Sequence, residues 1–198
     1  MYDDYVALIF DMDGTLVDSG QLHEFSWRAT LNKYHIPIDG PLMRSLAGVP
    51  TKETLVFLIE KFDCTVSASL DEMNEFKEQC VRDNVRRFVK PTALFDLVKQ
   101  YHGKKPMAIG TGANTAEALL VLQQCGMDTY LDAVVGADQV DHPKPAPDTF
   151  LRCAELLGVD PGQCVVFEDA QLGLQAASSA GMAAVDVFLT HHIYNDYF

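Results

Sequence analysis

Phe10-Asp11-Met12-Asp13-Gly14-Thr15-Leu16 follows directly on the apolar run Val6-Ala7-Leu8-Ile9-Phe10 and sets two carboxylates two residues apart. A short, uninterrupted apolar run of this kind reads as a strand buried on both faces. Asp11 and Asp13 then stand at its carboxyl end, on the edge of an open α/β sheet where ligands bind.

Downstream of this stretch the periodicity turns helical and stays so for about seventy residues. Leu22, Phe25 and Ala29 form one stripe, Leu55, Leu58, Ile59 and Phe62 a second, and Leu70, Met73, Phe76, Cys80, Val81, Val85 and Phe88 a third. No strand is expected within this block. Past Pro91 strands and helices alternate. Lys104–Ile109 reads as a strand entering the turn Gly110-Thr111-Gly112, and Asn114 with Glu117 reads as a capping box for the next helix. Ala133-Val134-Val135 follows as a strand, and Pro147 suits the first turn of a helix through Leu157. Cys164–Phe167 and Ala184–Val187 read as the last strands, with Gly181 closing the alanine-rich helix between them.

Repeated β-α units imply an α/β fold: a three-layer, Rossmann-like core with a mostly parallel sheet. The helical block is then a cap inserted after the first strand. The expected division is 1–15 for the first part of the core, 16–85 for the cap and 86–198 for the rest of the core.

Composition narrows the function. With 28 acids against 15 bases the formal charge is -13, a field that opposes nucleic acid and anionic membranes. The chain's five cysteines show no C-x-x-C pair, so neither a disulfide framework nor a structural zinc site is suggested. No secretory signal is apparent in Met1-Tyr2-Asp3-Asp4, and no run reaches the roughly 18 apolar residues of a membrane helix. A cytoplasmic protein is expected, with a monomer as the default state.

Four separated motifs carry a resemblance over nearly the whole chain: Asp11-Met12-Asp13-Gly14-Thr15, Gly110-Thr111-Gly112, Lys144-Pro145-Ala146-Pro147 and Glu168-Asp169-Ala170. In this order they resemble the haloacid dehalogenase-like hydrolase superfamily with a helical cap, and within it the β-phosphoglucomutase-like branch. The bacterial sugar phosphatases acting on fructose 1-phosphate or 6-phosphogluconate are especially similar.

That resemblance implies roles. Asp11 would be the nucleophile that captures phosphorus as an aspartyl-phosphate, and Asp13 the acid that protonates the leaving alkoxide and then activates water. Mg²⁺ would be held by Asp11, the Asp13 backbone carbonyl and Asp169, with Glu168 ligating it or holding a metal-bound water. Gly14 suits a close approach of backbone to phosphate. Thr111, with backbone N–H groups of Gly112 and Asn114 ahead of a helix, suits phosphoryl oxygens. Lys144 would neutralise Asp11 and the transferring group.

Substrate choice is expected in the cap. In β-phosphoglucomutase relatives a histidine at the position of His23 assists proton transfer; here His23 serves equally well as a capping or packing residue. An arginine that grips the distal phosphate in those relatives is replaced by Thr51, beside Lys52. Loss of a bidentate clamp favours hydrolysis of a small phosphorylated sugar over the alternative, a hexose-phosphate mutase. A non-enzymatic sugar-phosphate-binding module is the third reading, which the acidic, threonine and lysine set opposes. His191 and His192 have no further ligands in sequence and are read as packed or exposed tail residues.

Overall fold

A computed structural model describes residues 1–195 and 197–198. The strands in chain order are β1 (Ala7–Phe10), β2 (Val17–Asp18), β3 (Lys90–Pro91), β4 (Met107–Gly110), β5 (Ala133–Val135), β6 (Cys164–Glu168) and β7 (Ala183–Asp186). The α-helices are α1 (Gly20–Lys33), α2 (Gly40–Ser45), α3 (Thr51–Lys61), α4 (Leu70–Phe88), α5 (Phe95–Tyr101), α6 (Thr115–Gln124), α7 (Asp148–Leu157), α8 (Gln171–Ser179) and α9 (Val187–His191). Two compact units result. One spans Met1–Asp18 and Val89–Asn195, and the other Ser19–Phe88 together with Tyr197 and Phe198. The main segment of the helical unit runs from Ser19 to Phe88.

In the α/β unit the sheet order is β5-β4-β1-β6-β7, and every pairing is parallel. β1 lies at the centre, with Phe10 opposite Ile109 on one side and Phe167 on the other. All four of its residues are fully buried, which explains the absence of polar alternation in Ala-Leu-Ile-Phe. Ala7 and Ile9 pack with Phe150, Cys153 and Ala154 of α7 and with Ala176 and Ala177 of α8. On the opposite face Phe10 stacks on Phe167 with ring centroids 4.8 Å apart, and Tyr2 meets Phe167 edge-on.

β2 was not expected from the sequence. It has two residues, Val17 opposite Pro91 and Asp18 opposite Lys90, and is antiparallel. So short an element leaves no periodic signal. Its anchor is Thr92, whose hydroxyl donates to the carbonyls of Thr15 and Leu16 at 2.7 and 3.2 Å. Thr92 thus braces the turn that carries Asp13 and Gly14.

The helical unit has its own core of Trp27, Leu31, Leu55, Leu58 and Met73, joined by Tyr197 and Phe198. Arg28 lies 4.8 Å over the Phe198 ring, and the Phe198 N–H donates to Glu24 at 3.1 Å. On α4 the buried face is Met73, Lys77, Val81 and Val85, so a lysine occupies a position in the apolar stripe. Lys77 is accommodated because its ammonium sits 5.1 Å from the Trp27 ring while its methylenes pack. No helix among the described residues is long and apolar enough to cross a membrane.

Candidate active site

Because the strands are parallel and in register, their carboxyl ends fall on one edge of the sheet. β1 delivers Asp11, β4 delivers Thr111 and β6 delivers Glu168 and Asp169. Lys144 comes from the loop between β5 and α7. Its ammonium donates to Asp11 Oδ1 at 2.6 Å and to Glu168 Oε2 at 3.1 Å, and lies 4.7 Å from the centroid of the Phe150 ring. Carboxylate oxygens of Asp11, Glu168 and Asp169 all lie within 4.8 Å of one another.

Electrostatically this cluster is incomplete. Asp11 is 6% exposed and Glu168 2%, so both are largely stripped of water. Burial pushes the Asp11 carboxyl up, and burial followed by repulsion from Asp11 pushes Glu168 well up. Asp169 is raised to about 7 by the same two causes. Burial opposes the charge on Lys144, but attraction from Asp11 and Glu168 overcomes it and raises its pKa. With all three carboxylates ionised, the one ammonium would leave two negative charges unbalanced, which is why burial resists their ionisation in the absence of a further cation. Hard oxygen donors in this excess fit a divalent cation.

The turn after β1 is built to present these groups. The Met12 carbonyl accepts from the N–H groups of Thr15, Leu16 and Val17, and Gly14 N–H returns to Val17 at 2.8 Å. Gly14 has φ +85°, and a Cβ there would lie 2.3 Å from Asp169 Oδ2 and 2.5 Å from Asn195 Nδ2. Only glycine meets both the dihedral and the space. Asp13 is half-buried and close enough to Asp11 to raise its pKa further.

The second motif divides its labour unlike the sequence reading. Thr111 is buried, its N–H donates to Val135 at 2.9 Å, and its hydroxyl oxygen accepts from Ala113 N–H at 3.1 Å. That leaves the hydroxyl proton to give to a ligand. Gly110 is closely packed, since a Cβ there would lie 3.0 Å from Phe150 and 3.1 Å from Cys153 Sγ. Gly112 is exposed with nothing within 4 Å of such a Cβ, so no steric reason reserves it for glycine. The Asn114 side chain forms no capping bond to α6. Asp138 takes that place, accepting from Thr115 N–H and Oγ1 at 2.7 Å each.

Three further residues touch the cluster without having been singled out for it. Thr15 Oγ1 donates to Asp169 Oδ1 at 3.2 Å and Asn195 Nδ2 to Asp169 Oδ2 at 3.4 Å. Gly173 on α8 leaves room for Glu168, whose Cδ would be 2.1 Å from a Cβ at that position. A glycine inside an alanine-rich helix is the one signal that sequence offers for such a site. Asn195 offers none.

His23, Thr51 and Lys52 belong to the helical unit. His23 is half-buried on the first turn of α1, and Thr51 is the first residue of α3. Lys52 is exposed, paired with Asp71 at 2.5 Å, and lines a shallow surface cleft of about 310 Å³ with Glu53, Val56, Phe57 and Glu60. Of the tail histidines, His191 Nε2 bonds the Tyr2 hydroxyl at 2.8 Å while His192 is exposed.

One edge of a parallel α/β sheet thus gathers the strand-end carboxylates Asp11, Glu168 and Asp169, the strand-end Thr111 and the loop residue Lys144, where ligands bind in such folds. Residues 5–181 match the family model described as haloacid dehalogenase-like hydrolase, and the chain belongs to that family of enzymes. It is 48% identical over 191 residues to the fructose-1-phosphate phosphatase YqaB of Escherichia coli K12, covering 96% of this chain and all of that protein. A phosphorylated carbohydrates phosphatase of Thermotoga maritima is 33% identical, covering 90% of this chain and 83% of the relative. Among solved structures, β-phosphoglucomutase from Clostridium difficile superposes with a TM-score of 0.80 at 27% identity, over 91% of this chain and 83% of that one.

Proposed function

We propose that this enzyme is a Mg²⁺-dependent phosphatase of small sugar monophosphates, with fructose 1-phosphate the first substrate to test and 6-phosphogluconate the second. The observation that carries the reading is the single ammonium of Lys144 shared by Asp11 and Glu168 within a three-carboxylate cluster. Such a cluster needs a further cation, and with it becomes a site for a phosphoryl dianion. The names of the Escherichia coli and Thermotoga relatives agree with the substrate class.

In this reading Asp11, the Asp13 carbonyl and Asp169 hold the ion, with Glu168 beside it. Bound Mg²⁺ would offset the negative charge of the carboxylates and the phosphoryl oxygens. Lys144 and Thr111 orient the phosphoryl group. The free oxygen of Asp11 attacks phosphorus in line with the sugar oxygen; the new O–P bond forms as the sugar O–P bond breaks. Asp13 gives its proton to the departing sugar oxygen, then takes one from the water that attacks the aspartyl-phosphate. Phosphate leaves and Asp11 is restored. Gly14 and the amides around Gly112 and Asn114 face the phosphate, while His23, Thr51 and Lys52 select the sugar.

A hexose-phosphate mutase is the second reading, favoured by the likeness to the Clostridium enzyme. Thr51, lacking a guanidinium to grip a distal phosphate, weighs against it. A Mg²⁺-dependent screen of sugar phosphates that measures both free phosphate and sugar isomers separates the two. Free phosphate lost in Asp11→Asn and, at trace Mg²⁺, in Asp169→Asn supports the phosphatase. Isomer formation with little free phosphate reverses the choice, and phosphate release unchanged by Asp11→Asn removes Asp11 as nucleophile.

A further inference from the structure

The phosphate loop 110–114 and the segment leading to Lys144 leave neighbouring strands side by side, Gly110 opposite Val135. They remain joined beyond the sheet. Thr111 N–H donates to the Val135 carbonyl and Ala137 N–H to the Ala113 carbonyl, both at 2.9 Å. At the next position along, Asp138 Oδ1 accepts from Thr115 N–H and from Thr115 Oγ1, and Gln139 Nε2 donates to Thr115 Oγ1, each at 2.7 Å. Gly136 permits the approach, since a Cβ there would lie 2.4 Å from Thr115 N. Every atom of this arrangement lies within the α/β unit.

We propose that Asp138 is a positioning residue: by clamping Thr115 it holds the Thr111 loop against the loop that carries Lys144, and so sets how tightly the site takes phosphate. Asp138 acts through Thr115, from whose N–H and hydroxyl its carboxylate accepts. Its partner Thr115 opens α6 directly after that loop, and the Asn114 side chain, the expected cap, makes no such bond. The carboxylate therefore does from 23 residues away what a local cap does in other helices. Burial works against its charge, and the bonds from Thr115 more than offset this and lower its pKa, so the acceptor is ionised throughout the neutral range. Preorganised donors act on phosphoryl oxygens only when their backbone is fixed beforehand, which is what the clamp supplies.

The role rests on the phosphatase reading, and the experiment keeps the two apart. Wild type, Asp138→Ala, Asp138→Asn and Thr115→Val are compared for kcat and KM on a hydrolysed sugar phosphate, for inorganic phosphate affinity by calorimetry, and for Tm. Asp138→Ala and Thr115→Val are expected to weaken phosphate and raise KM by about threefold to tenfold, the range of a lost cap, with a smaller change in kcat. Asp138→Asn, which keeps an oxygen acceptor of the same shape, is expected to recover most of the loss. Phosphate affinity and KM unchanged while Tm falls would show a merely structural cap and overturn the proposal. A wild type that binds inorganic phosphate yet hydrolyses no sugar phosphate fails the phosphatase reading, with phosphate affinity still judging the clamp. A wild type that binds no phosphate overturns both.

Discussion

The Lys144 ammonium stands 2.6 Å from Asp11 Oδ1, and both side chains are about nine-tenths buried. It is the nearest cation to the position from which the phosphoryl group would be attacked. Replacing it removes a counterion and leaves Asp11 and Glu168 facing each other in a poorly hydrated site. Lys144→Met is expected to abolish measurable phosphate release and to cost about 3–5 kcal/mol of stability without divalent ions, as loss of one partner of a buried ion pair does. Urea unfolding with and without Mg²⁺ reads the stability part. A variant as stable as wild type and still turning over would show that Lys144 is dispensable to both.

Gly173 makes a second, sharper case because two principles oppose each other there. Alanine is favoured over glycine inside a helix by about 1 kcal/mol. Yet its Cβ would be 2.1 Å from Glu168 Cδ, closer than real Cβ contacts come, and Glu168 is 2% exposed. Sterics win, so Gly173→Ala is expected to turn the Glu168 carboxylate away from Lys144 and weaken Mg²⁺ binding about tenfold or more. Calorimetric titration with Mg²⁺ decides it; an unchanged affinity would mean that α8 shifts to absorb the methyl group.

The sequence carried the sheet, three strand-end motifs and the lysine loop because those positions are written in residue type. An unbroken apolar run ending in Asp11 or Glu168, or a Gly-Thr-Gly before a helix, is a local pattern. What it did not carry depends on pairs far apart in the chain. Asp138 caps α6 in place of Asn114, a replacement visible only when β4 and β5 are side by side. Lys77, a charged residue left out of the apolar stripe, is buried on α4 with its ammonium 5.1 Å from the Trp27 ring. β2 was invisible because two residues have no period. Tyr197 and Phe198, which carry no periodic signal in the sequence, join the core of the helical unit.

Asn195 extends this point to the proposed metal site. Its side chain donates to Asp169 Oδ2 at 3.4 Å, and it is delivered there by Ile193, buried and bonded to the Val187 carbonyl. An amide that fixes a ligating carboxylate raises metal affinity by orienting it. The bond is long and Asn195 is exposed, so Asn195→Ala is expected at the low end of such effects, about tenfold weaker Mg²⁺ binding or less. Mn²⁺ titration followed by electron paramagnetic resonance tests this directly, and equal affinities would confine Asn195 to a packing role.

The cysteines give a prediction in pH. Burial raises the Cys153 thiol to about 12, against the opposing pull of Lys144, and raises Cys164 and Cys125 to about 11. Cys153 and Cys164 are fully buried, with Cys153 Sγ donating to the Ile109 carbonyl at 3.3 Å. A thiol whose folded pKa lies above its unfolded value of about 8.5 favours the native state below that pH and withdraws the support as pH rises towards the folded value. Stability is therefore expected to fall between about pH 9 and 12, and Cys153→Ala should flatten that fall. At pH 8 an aromatic disulfide reagent should leave Cys153 and Cys164 unmodified in the native protein and label all five cysteines after unfolding. Rapid native labelling of Cys153, mapped by mass spectrometry, would mean that α7 opens away from β4 far more often than its buried contacts with Ile9 and Ala108 allow.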